Sequence, residues 1–514
     1  EYADGKPMYS NGITVSRWVD GVLEEDENIS QRTALKAMFY WGHAVNSQTR
    51  GVEMQKAMQK LEMMVIVDPY PTVASVMHDR TDGAYLLPAA TQFETTGSVT
   101  ATNRSIQWRD QVIEPLFESK PDHEIMYLFA RKLGFGNELV KNYEMNGDEP
   151  LIEDILREIN RGMWTVGYTG QSPERLKEHQ QNWHTFSFEN LRAQGGPADG
   201  DYYGLPWPCW GTPEFRHPGS PNLYDTSVPV REGGMGFRAR FGIERNGVNL
   251  LAEGSAPVGG DIDDGYPEFN DQLLKDLGWW DDLTAEEKEA AEGKNWKTDF
   301  SGGIQRVAIE HGCAPYGNAK ARAVVWTFPD AVPKHREPLY TTRRDLVERY
   351  PTWDDFDSIM RLPTLYRTIQ ERDNSADYPI ILTSGRLVEY EGGGEETRSM
   401  SWLAELQQEM FVEMNPADAN DIGVRDGDDV WVEGAEGGRV KVKALVTPRV
   451  DRKVAFMPFH FGGIFQGENL HDRYPEGTAP YVQGEAANTA TTYGYDPVTL
   501  MQETKCTICR IERA

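Results

Sequence analysis

The stretch ILTSGRLVEYEGGG at residues 381–394 decides how the rest of the chain is interpreted. An apolar run over residues 378–382 predicts a buried strand, and small residues then lead to Arg386, Glu389 and three consecutive glycines. Small residues at a strand end let a ligand approach the backbone. An arginine beside them offers a charged, forked donor set for phosphate or for the edge of a planar heterocycle. The alternative is a strand followed by a glycine loop in which Arg386 and Glu389 form a structural ion pair.

The size and charge of the chain narrow the classes of protein to which it can belong. Its 514 residues predict two to four domains. The net charge of −29, from 52 basic and 81 acidic residues, disfavours nucleic acid and anionic membranes as partners. The sequence has no apolar run of about 18 residues, so we expect no direct membrane insertion. The N-terminus shows neither an initiator methionine nor a signal peptide, which favours the middle of a longer protein or a processed product.

Residues from about 30 to 135 alternate between strand and helix patterns. Ala37–Trp41 is predicted to be a buried strand, and a second buried strand covers residues 63–67. Between them, apolar residues at helical spacing predict a helix, namely Met54, Ala57, Met58 and Leu61. A further short strand is expected over residues 82–88. Strand–helix–strand units indicate a parallel sheet.

Polar residues follow two of these strands, at the edge where ligands bind in parallel sheets. Gly42, His43 and Ala44 come after the first strand, and Asp68 comes after the second. An aspartate there can accept hydrogen bonds from ribose hydroxyls or from a guanine edge. The alternatives are a turn or cap role for Asp68 before a proline and an ordinary loop role for His43.

Asp122 opens a second amphipathic helix, whose predicted apolar face contains Ile125, Leu128, Phe129 and Leu133. Because it is an acid in the first turn, Asp122 can equally be a plain N-cap.

The pattern weakens from about residue 140 to 375. Aromatic residues, prolines and glycines crowd residues 202–211, and a charged helix is expected at residues 284–291. The aromatic-rich region is either a large surface packed on another body or an insertion with its own small core.

A small β-barrel is predicted in the last segment. Asn415 precedes Pro416 as the N-cap of a short helix, and short strands follow at residues 430–432, 440–444 and 454–457. The predicted fold class is α/β plus β. It comprises a partial α/β cofactor-binding domain of dinucleotide type (1–140), an irregular, insertion-rich region (141–375) and a C-terminal small, double-psi-like barrel (376–514).

The four cysteines give no metal-binding pattern. Cys209 and Cys313 stand alone, while Cys506 and Cys509 have redox-motif spacing. The last two fall in a predicted final strand, where their side chains face opposite ways, and no second Cys/His pair completes a site. We therefore predict structural cysteines and no metal ligand on this chain.

Four stretches together resemble the C-terminal half of the catalytic subunit of molybdenum- or tungsten-dependent formate dehydrogenases, in the dimethyl sulfoxide reductase family. They are WGHAVNSQTRG (41–51), VDPYPT (67–72), TSGRLVEY (383–390) and NPADA (415–419) leading to GVRDGD (423–428). The residues around Asn488 and Lys505 also fit, and residues from about 195 to 330 resemble an insertion of one bacterial subgroup. One departure is the glycine run at 392–394, where many relatives carry a histidine and polar residues.

The resemblance implies a bis-molybdopterin guanine dinucleotide cofactor with molybdenum or tungsten, and roles for thirteen residues. Trp41, Gly42, His43 and Ala44 would line a nucleotide arm, Asp68 would contact guanosine, and Asp122 would lie near the cofactor. The pterin would be contacted by the strand-end residues and closed over by the tail residues: Ser384, Gly385, Arg386, Leu387 and Glu389, with Asn488 and Lys505. No catalytic residue is assigned on this chain.

The family's N-terminal cysteine cluster for a [4Fe–4S] centre, its metal-ligating cysteine or selenocysteine and its catalytic arginine are not located in this sequence. The resemblance therefore implies that the N-terminal half comes from a second polypeptide or split gene product, or that this chain derives from a cleaved or truncated precursor. It also implies an iron–sulfur electron-transfer subunit as a partner, formate or carbon dioxide as substrate, and a periplasmic location, with the cytoplasm as the alternative. Two other functions stay open: a reductase of nitrate or another oxyanion, and a non-catalytic cofactor-carrying scaffold.

Overall fold

The computed structural model describes residues 15, 17–24, 33–162, 168–209, 216–222, 244–245, 248–249, 271–276, 278–292, 303, 307, 335–350, 373–491, 494–495 and 501–514. Cys313, the first five residues and much of the expected insertion at 195–330 lie outside the described residues.

The helices of the described residues are short to medium in length. They are α1 (Trp18–Leu23), α2 (Gly51–Lys60), α3 (Val73–Val76), α4 (Asp122–Leu133), α5 (Gly136–Leu139), α6 (Ile152–Gly162), α7 (Pro173–Gln181), α8 (Asp271–Asp276), α9 (Ala285–Ala291), α10 (Arg344–Val347), α11 (Ser401–Ala404) and α12 (Pro416–Asp421). Within those same ranges, no helix is long and apolar enough to cross a bilayer.

The strands fall into a group before residue 110 and a group after residue 379, with short pairs between. They are β1 (Ala37–Trp41), β2 (Met63–Asp68), β3 (Ala84–Pro88), β4 (Gly97–Thr100), β5 (Ile106–Arg109), β6 (Met145–Asn146), β7 (Glu149–Pro150), β8 (Glu244–Arg245), β9 (Val248–Asn249), β10 (Ile380–Gly385), β11 (Phe411–Met414), β12 (Asp429–Gly434), β13 (Arg439–Val446), β14 (Val454–Pro458), β15 (Gly463–Phe465), β16 (Glu468–Asn469), β17 (Gly484–Glu485) and β18 (Thr507–Arg513).

The chain forms two compact units. The first contains Glu1–Pro88 and Thr327–Ala514, and the second contains Ala89–Trp326. The two ends of the chain thus share one unit, because segments far apart in sequence pack against each other there. These units do not share their boundaries with the sequential domains predicted at residues 140 and 375.

A three-stranded parallel sheet begins the first unit, in the order β1-β2-β3. The predicted strands, the helix between them and the parallel pairing are confirmed. Met54, Ala57 and Met58 of α2 are buried, in keeping with the helical spacing seen in the sequence. The expectation that Ala37–Trp41 is a buried strand is wrong, since only Tyr40 is buried in β1. β1 lies at one side of this sheet and leaves Phe39 40% exposed.

A closed six-stranded barrel forms the C-terminal part of the same unit, in the order β10-β14-β11-β13-β12-β18. Its pairs β10–β14 and β11–β13 are parallel, and the others are antiparallel. Closure leaves no strand edge unpaired, and the alternating inward residues of β12 and β13 are buried. The predicted small barrel and its strands are therefore confirmed. The Asn415 cap is confirmed as well, since its side chain accepts a hydrogen bond from the Ala417 amide at 3.0 Å.

The second unit has a small core of its own. The antiparallel hairpin β4–β5 contributes Ile106 and Trp108, which pack with Leu156, Leu205 and Cys209. This core favours the interpretation of the aromatic-rich region as an insertion with its own packing. The predicted charged helix is confirmed as α9, which starts with a capping box between Thr284 and Glu287.

Two details of α4 differ from the sequence prediction. Pro121 occupies the N-cap, so Asp122 is the first helical residue and does not cap the helix. Leu133, predicted on the apolar face, is 67% exposed, because it falls in the last turn, just before the left-handed Gly134 that ends the helix.

Candidate functional site

The loop after β1 packs directly against two loops of the barrel segment. The buried Asn46 side-chain amide donates to the carbonyl oxygens of Gly393 at 2.7 Å and Phe461 at 2.9 Å. A side chain at Gly393 would place its Cβ 2.2 Å from the Cβ of Ala44. The glycine therefore lets the loop at residues 392–394 lie against the carboxyl edge of the sheet.

The tail of the chain contacts the same β1 loop. Asn488 lies in a buried 3-10 turn, Ala487–Ala490, and its side-chain amide donates to the Ser47 carbonyl at 2.5 Å. A Cβ at Gly51 would lie 2.5 Å from the Thr489 hydroxyl oxygen. The predicted site residues Ala44 and Asn488 are thus brought to one loop, from opposite ends of the sequence.

The end of β10 is held by the residues that precede β18. The Ser384 hydroxyl donates to the Thr504 carbonyl at 2.9 Å, and the Lys505 ammonium donates to the Ser384 carbonyl at 2.6 Å. A Cβ at Gly385 would lie 2.5 Å from a ring atom of Phe456, so a larger residue does not fit without movement. Three predicted site residues, Ser384, Gly385 and Lys505, therefore form one corner of the barrel.

Two cations share one aromatic ring at this corner. The Arg386 guanidinium lies 5.2 Å and the Lys505 ammonium 5.3 Å from the centre of the Phe459 ring. In the part of the chain that the structure describes, neither cation forms an ion pair with a carboxylate. Partial burial, and then the positive charge of Arg386, lower the pKa of Lys505. We call Arg386, Lys505 and Phe459 the cation strip, and its chemistry suits an anionic ligand.

The alternative of a structural Arg386–Glu389 pair is wrong, since Arg386 has no such ion pair and Val388 between them is 99% exposed. Leu387 donates its backbone N–H to the His460 ring at 3.0 Å. Glu389 lies in the turn that follows β10.

His43 and Trp41 lie at the carboxyl end of β1. Gly42 follows with a φ of 55° and donates its N–H to the Val67 carbonyl at 2.9 Å. The side-chain oxygen Oε1 of Gln48 accepts a hydrogen bond from the Trp18 indole N–H at 2.7 Å. This contact directs the side-chain nitrogen Nε2 of Gln48 to His43 Nε2, at 2.5 Å. His43 Nε2 is then an acceptor, and burial lowers the pKa of His43. The imidazole is accordingly neutral at pH 7, with its proton on Nδ1.

Asp68 ends β2 and is half-buried. Its carboxylate accepts from the Thr72 hydroxyl at 3.1 Å, as expected of an acid that shapes the turn before α3. This contact fits the turn role and leaves the nucleotide role of Asp68 a prediction.

Asp122 belongs to the second unit, where it lies exposed at the start of α4. It lines a cavity of about 480 Å³ together with apolar residues of α4 and α6, such as Met126 and Ile155. Its predicted place near a cofactor stays a prediction.

The sequence did not single out three functional candidates of the first unit, namely Asn46, Arg398 and His460. All three are buried and hold the loops of the site together. Arg398 donates to the carbonyl oxygens of Gly462 at 2.9 Å and Val482 at 3.1 Å and pairs with Glu395 at 3.0 Å. Glu395 also accepts from the Val73 amide at 3.4 Å. The sequence feature that could have identified Asn46, Arg398 and His460 is a polar residue within an otherwise apolar or glycine-rich run.

The cysteines that the structure describes are protonated thiols. Burial raises the pKa of Cys209 to about 11 and that of Cys506 to about 12, and it raises the pKa of Cys509 as well. Cys509 lies in β18, whereas Cys506 precedes that strand. Among the described residues, no group of three or more His, Cys, Asp or Glu side chains is placed to hold a metal ion.

Two family models match separate parts of the chain. Residues 16–132 match the family described as molybdopterin oxidoreductase, and residues 380–508 match the molydopterin dinucleotide binding domain. The first match contains Trp41 to Ala44, Asp68 and Asp122, and the second contains the cation strip, His460 and Asn488.

Several curated relatives are alpha subunits of formate dehydrogenases. The formate dehydrogenase 2 subunit alpha (cytochrome c-553) of Nitratidesulfovibrio vulgaris is 23% identical over 518 residues, which cover 93% of this chain and 46% of that protein. The F420-dependent formate dehydrogenase subunit alpha of Methanocaldococcus jannaschii is 39% identical over 99 residues, 19% of this chain and 14% of that protein. The chain therefore spans less than half the length of the curated relatives it matches.

Among solved structures, the acetylene hydratase of Pelobacter acetylenicus aligns with 98% of this chain and 46% of its own, at 13% identity and a TM-score of 0.47. Residues 16–132 are therefore similar to molybdopterin oxidoreductases and residues 380–508 to the molydopterin dinucleotide binding domain, and the curated proteins similar to this chain include formate dehydrogenase alpha subunits.

Proposed function

We propose that this chain binds a molybdopterin guanine dinucleotide cofactor and forms part of a formate dehydrogenase. The observation that carries the proposal is the cation strip, in which Arg386 and Lys505 lie on one ring without a carboxylate partner among the described residues. In a chain with a net charge of −29, two such cations at one strand end favour a bound anion. The family models and the formate dehydrogenase relatives support a pterin dinucleotide as that anion.

The residues at the site fit such a ligand in charge and in donor type. Arg386 presents a forked donor set to anionic oxygens, and the Lys505 ammonium supplies a second positive charge beside it. Asp68 at the end of β2 would accept hydrogen bonds from the hydroxyl or amino groups of a nucleotide. The neutral His43 would offer its Nδ1 proton at the end of β1.

When bound, a bis-pterin molybdenum or tungsten centre supplies the two-electron chemistry that converts formate to carbon dioxide, one proton and two electrons, or the reverse. The contribution of this chain is to hold the anionic parts of that group. Lys505 also fixes the strand end through Ser384. A fixed donor set of this kind stabilises charge without reorganisation during the reaction.

The proposal includes partners and a compartment. A second polypeptide would carry the [4Fe–4S] centre and the cysteine or selenocysteine ligand, and an iron–sulfur subunit would take the electrons, in the periplasm. Native mass spectrometry of the purified material, with metal analysis of the same sample, tests this arrangement. A chain that travels alone and metal-free would contradict it and favour the scaffold function.

The test of cofactor binding is Arg386→Ala. We expect about ten- to hundredfold weaker retention of cofactor, measured as bound metal and as guanosine monophosphate released by acid, with parallel loss of formate-dependent viologen reduction. Arg349→Ala is the matched control, since Arg349 is an exposed arginine that lies 4.9 Å over the Tyr350 ring. Full metal content and full activity in Arg386→Ala would refute the role. Activity with nitrate and none with formate would replace formate dehydrogenase by an oxyanion reductase.

A further inference from the structure

His460 is a fully buried imidazole whose two ring nitrogens both bond to backbone. Nε2 accepts the Leu387 N–H at 3.0 Å, and Nδ1 lies 2.8 Å from the Gly392 carbonyl oxygen. A backbone N–H can only donate and a carbonyl can only accept, so the proton must lie on Nδ1 and the lone pair on Nε2. The contacts therefore select one neutral tautomer of His460.

These two bonds join the segments on either side of the candidate site. Leu387 directly follows Arg386 of the cation strip, and Gly392 opens the glycine loop that reaches the β1 loop. The glycine loop also lies close to the backbone of His460, because a Cβ at Gly394 would be 2.1 Å from the His460 carbonyl oxygen. His460 also follows Phe459, the ring on which Arg386 and Lys505 lie.

The surroundings of His460 disfavour a second proton on its ring. The charged groups that face it are Arg386 from the turn after β10, Glu391 from the glycine loop and Arg398 from the 3-10 turn Thr397–Ser399. Among the described residues, Tyr390 is a further titratable neighbour, with its ring centre 6.1 Å from that of His460. Burial lowers the pKa of His460, and the positive charges of Arg386 and Arg398 lower it further. The hydrogen bond to Gly392 and the negative charge of Glu391 oppose this shift.

We propose that His460 is a positioning residue that locks the Arg386–Leu387 turn to the glycine loop, and that protonation of Nε2 releases the turn. The link from this lock to cofactor retention rests on the proposed function, whereas the lock itself does not. A protonated Nε2 donates and cannot accept, so Leu387 loses its partner and Arg386 loses its fixed place on the Phe459 ring. The lock is closed above the ordinary pH range of histidine titration and opens as the pH falls below it.

Hydrogen exchange of the Leu387 amide, followed by mass spectrometry on the whole chain, tests the lock without any assay of activity. His460→Phe keeps a ring and removes both bonds, so we expect about five- to tenfold faster exchange at Leu387 at pH 7.5. His460→Gln can place an amide oxygen near the position of Nε2 and cannot be protonated. We expect this variant to keep most of the protection of the Leu387 amide and to lose the dependence of that protection on pH between 4 and 7.5.

The control is His471→Phe, at an exposed histidine of the same unit. Exchange of the Val442 amide in β13 serves as an internal check that the barrel is intact. Unchanged exchange at Leu387 in His460→Phe would overturn the proposal. Should that variant fail to fold, a wild-type Leu387 amide whose exchange, corrected for the chemical rate, does not rise between pH 7.5 and pH 4 while Val442 stays protected would overturn it too.

Cofactor content separates this proposal from the proposed function. Faster exchange at Leu387 together with loss of bound metal and guanosine monophosphate would support both. Faster exchange with full cofactor content would support the lock and contradict the assignment of the turn to cofactor binding.

Discussion

Two arginines twelve positions apart in the same unit have opposite environments. Arg398 is completely buried, and its guanidinium donates hydrogen bonds to the Glu395 carboxylate and to two carbonyl oxygens. Arg386 is exposed and lies on an aromatic ring next to another cation. The first arginine ties loops together, and the second has its donors available to a ligand. The hydrogen-bond and ion-pair partners of each side chain, more than residue type or neighbouring motif, separate a structural arginine from one that we propose binds a ligand.

The largest expected effect is on the structural side of this comparison. Arg398→Met removes the partner of the buried Glu395 and the side-chain donor to the carbonyl groups of Gly462 and Val482. We therefore expect a loss of about 3–5 kcal/mol in the free energy of unfolding. Urea unfolding at pH 7.5 measures it. A loss below about 1 kcal/mol would show that Arg398 does not hold the loops together.

Two buried glutamates, Glu395 and Glu485, also differ in their partners. Glu395 has an arginine partner, whereas Glu485 accepts backbone N–H groups from Gly467 at 2.5 Å, Gln466 at 3.0 Å and Lys441 at 3.3 Å. Burial raises the pKa of Glu485 to about 7. A pKa raised in the folded state gives a stabilising contribution that is present at low pH and is lost as the pH rises through about 7.

The stability advantage of the wild type over Glu485→Gln should therefore shrink by about 2–3 kcal/mol between pH 4.5 and pH 8. Urea unfolding across that range measures the difference, and Glu476→Gln, at an exposed acid, is the control. A difference that stays constant with pH would mean that the three N–H donors keep Glu485 ionised throughout.

A smaller effect is expected at the glycine loop between the two arginines. Gly393→Ala places a Cβ against Ala44, so we expect a loss of about 1–3 kcal/mol. Ala44→Gly in the same chain should recover most of it, since the methyl group that clashes is then gone. Unfolding of the single and double variants gives the coupling between the two positions. Additive losses would rule out this contact as the cause.

The smallest effect completes the comparison of the arginines. Arg386→Met removes one cation–π contact and a repulsion with Lys505, so the free energy of unfolding should change by less than about 1 kcal/mol. Arg386→Met and Arg398→Met are the same substitution in one unit, which makes each the control for the other. Equal losses in the two variants would remove the distinction.

The sequence predicted the parts of this fold that depend on local patterns. The parallel strands, α2, the Asn415 cap and the barrel strands each follow from spacing and turn residues within about twenty positions. The partners of Asn46 could not be predicted, since Gly393 and Phe461 lie 347 and 415 positions away. For the same reason the role of His460 was missed, because its contacts with Leu387 and Gly392 depend on how the barrel closes.

The site residues also separate into features that local sequence predicts and features that depend on long-range contacts. Ser384, Gly385, Arg386 and Lys505 were selected by motif, and the structure brings them together at one corner of the barrel. Local sequence also suggested an ion pair between Arg386 and Glu389, and that was wrong. Motif position predicts where a ligand would bind, but whether a carboxylate of the described residues competes for Arg386 depends on the folded unit.

The strand order of the barrel has a consequence for synthesis on the ribosome. β18, residues 507–513, pairs with both β10 and β12 and closes the cylinder. Lys505, which completes the cation strip, lies two residues before the start of β18. Roughly 120 residues leave the ribosome between Ser384 and Lys505, and the barrel stays open with unpaired edges during that time. The complete cation strip in its closed barrel is thus available to a ligand only after β18 has been synthesised and paired.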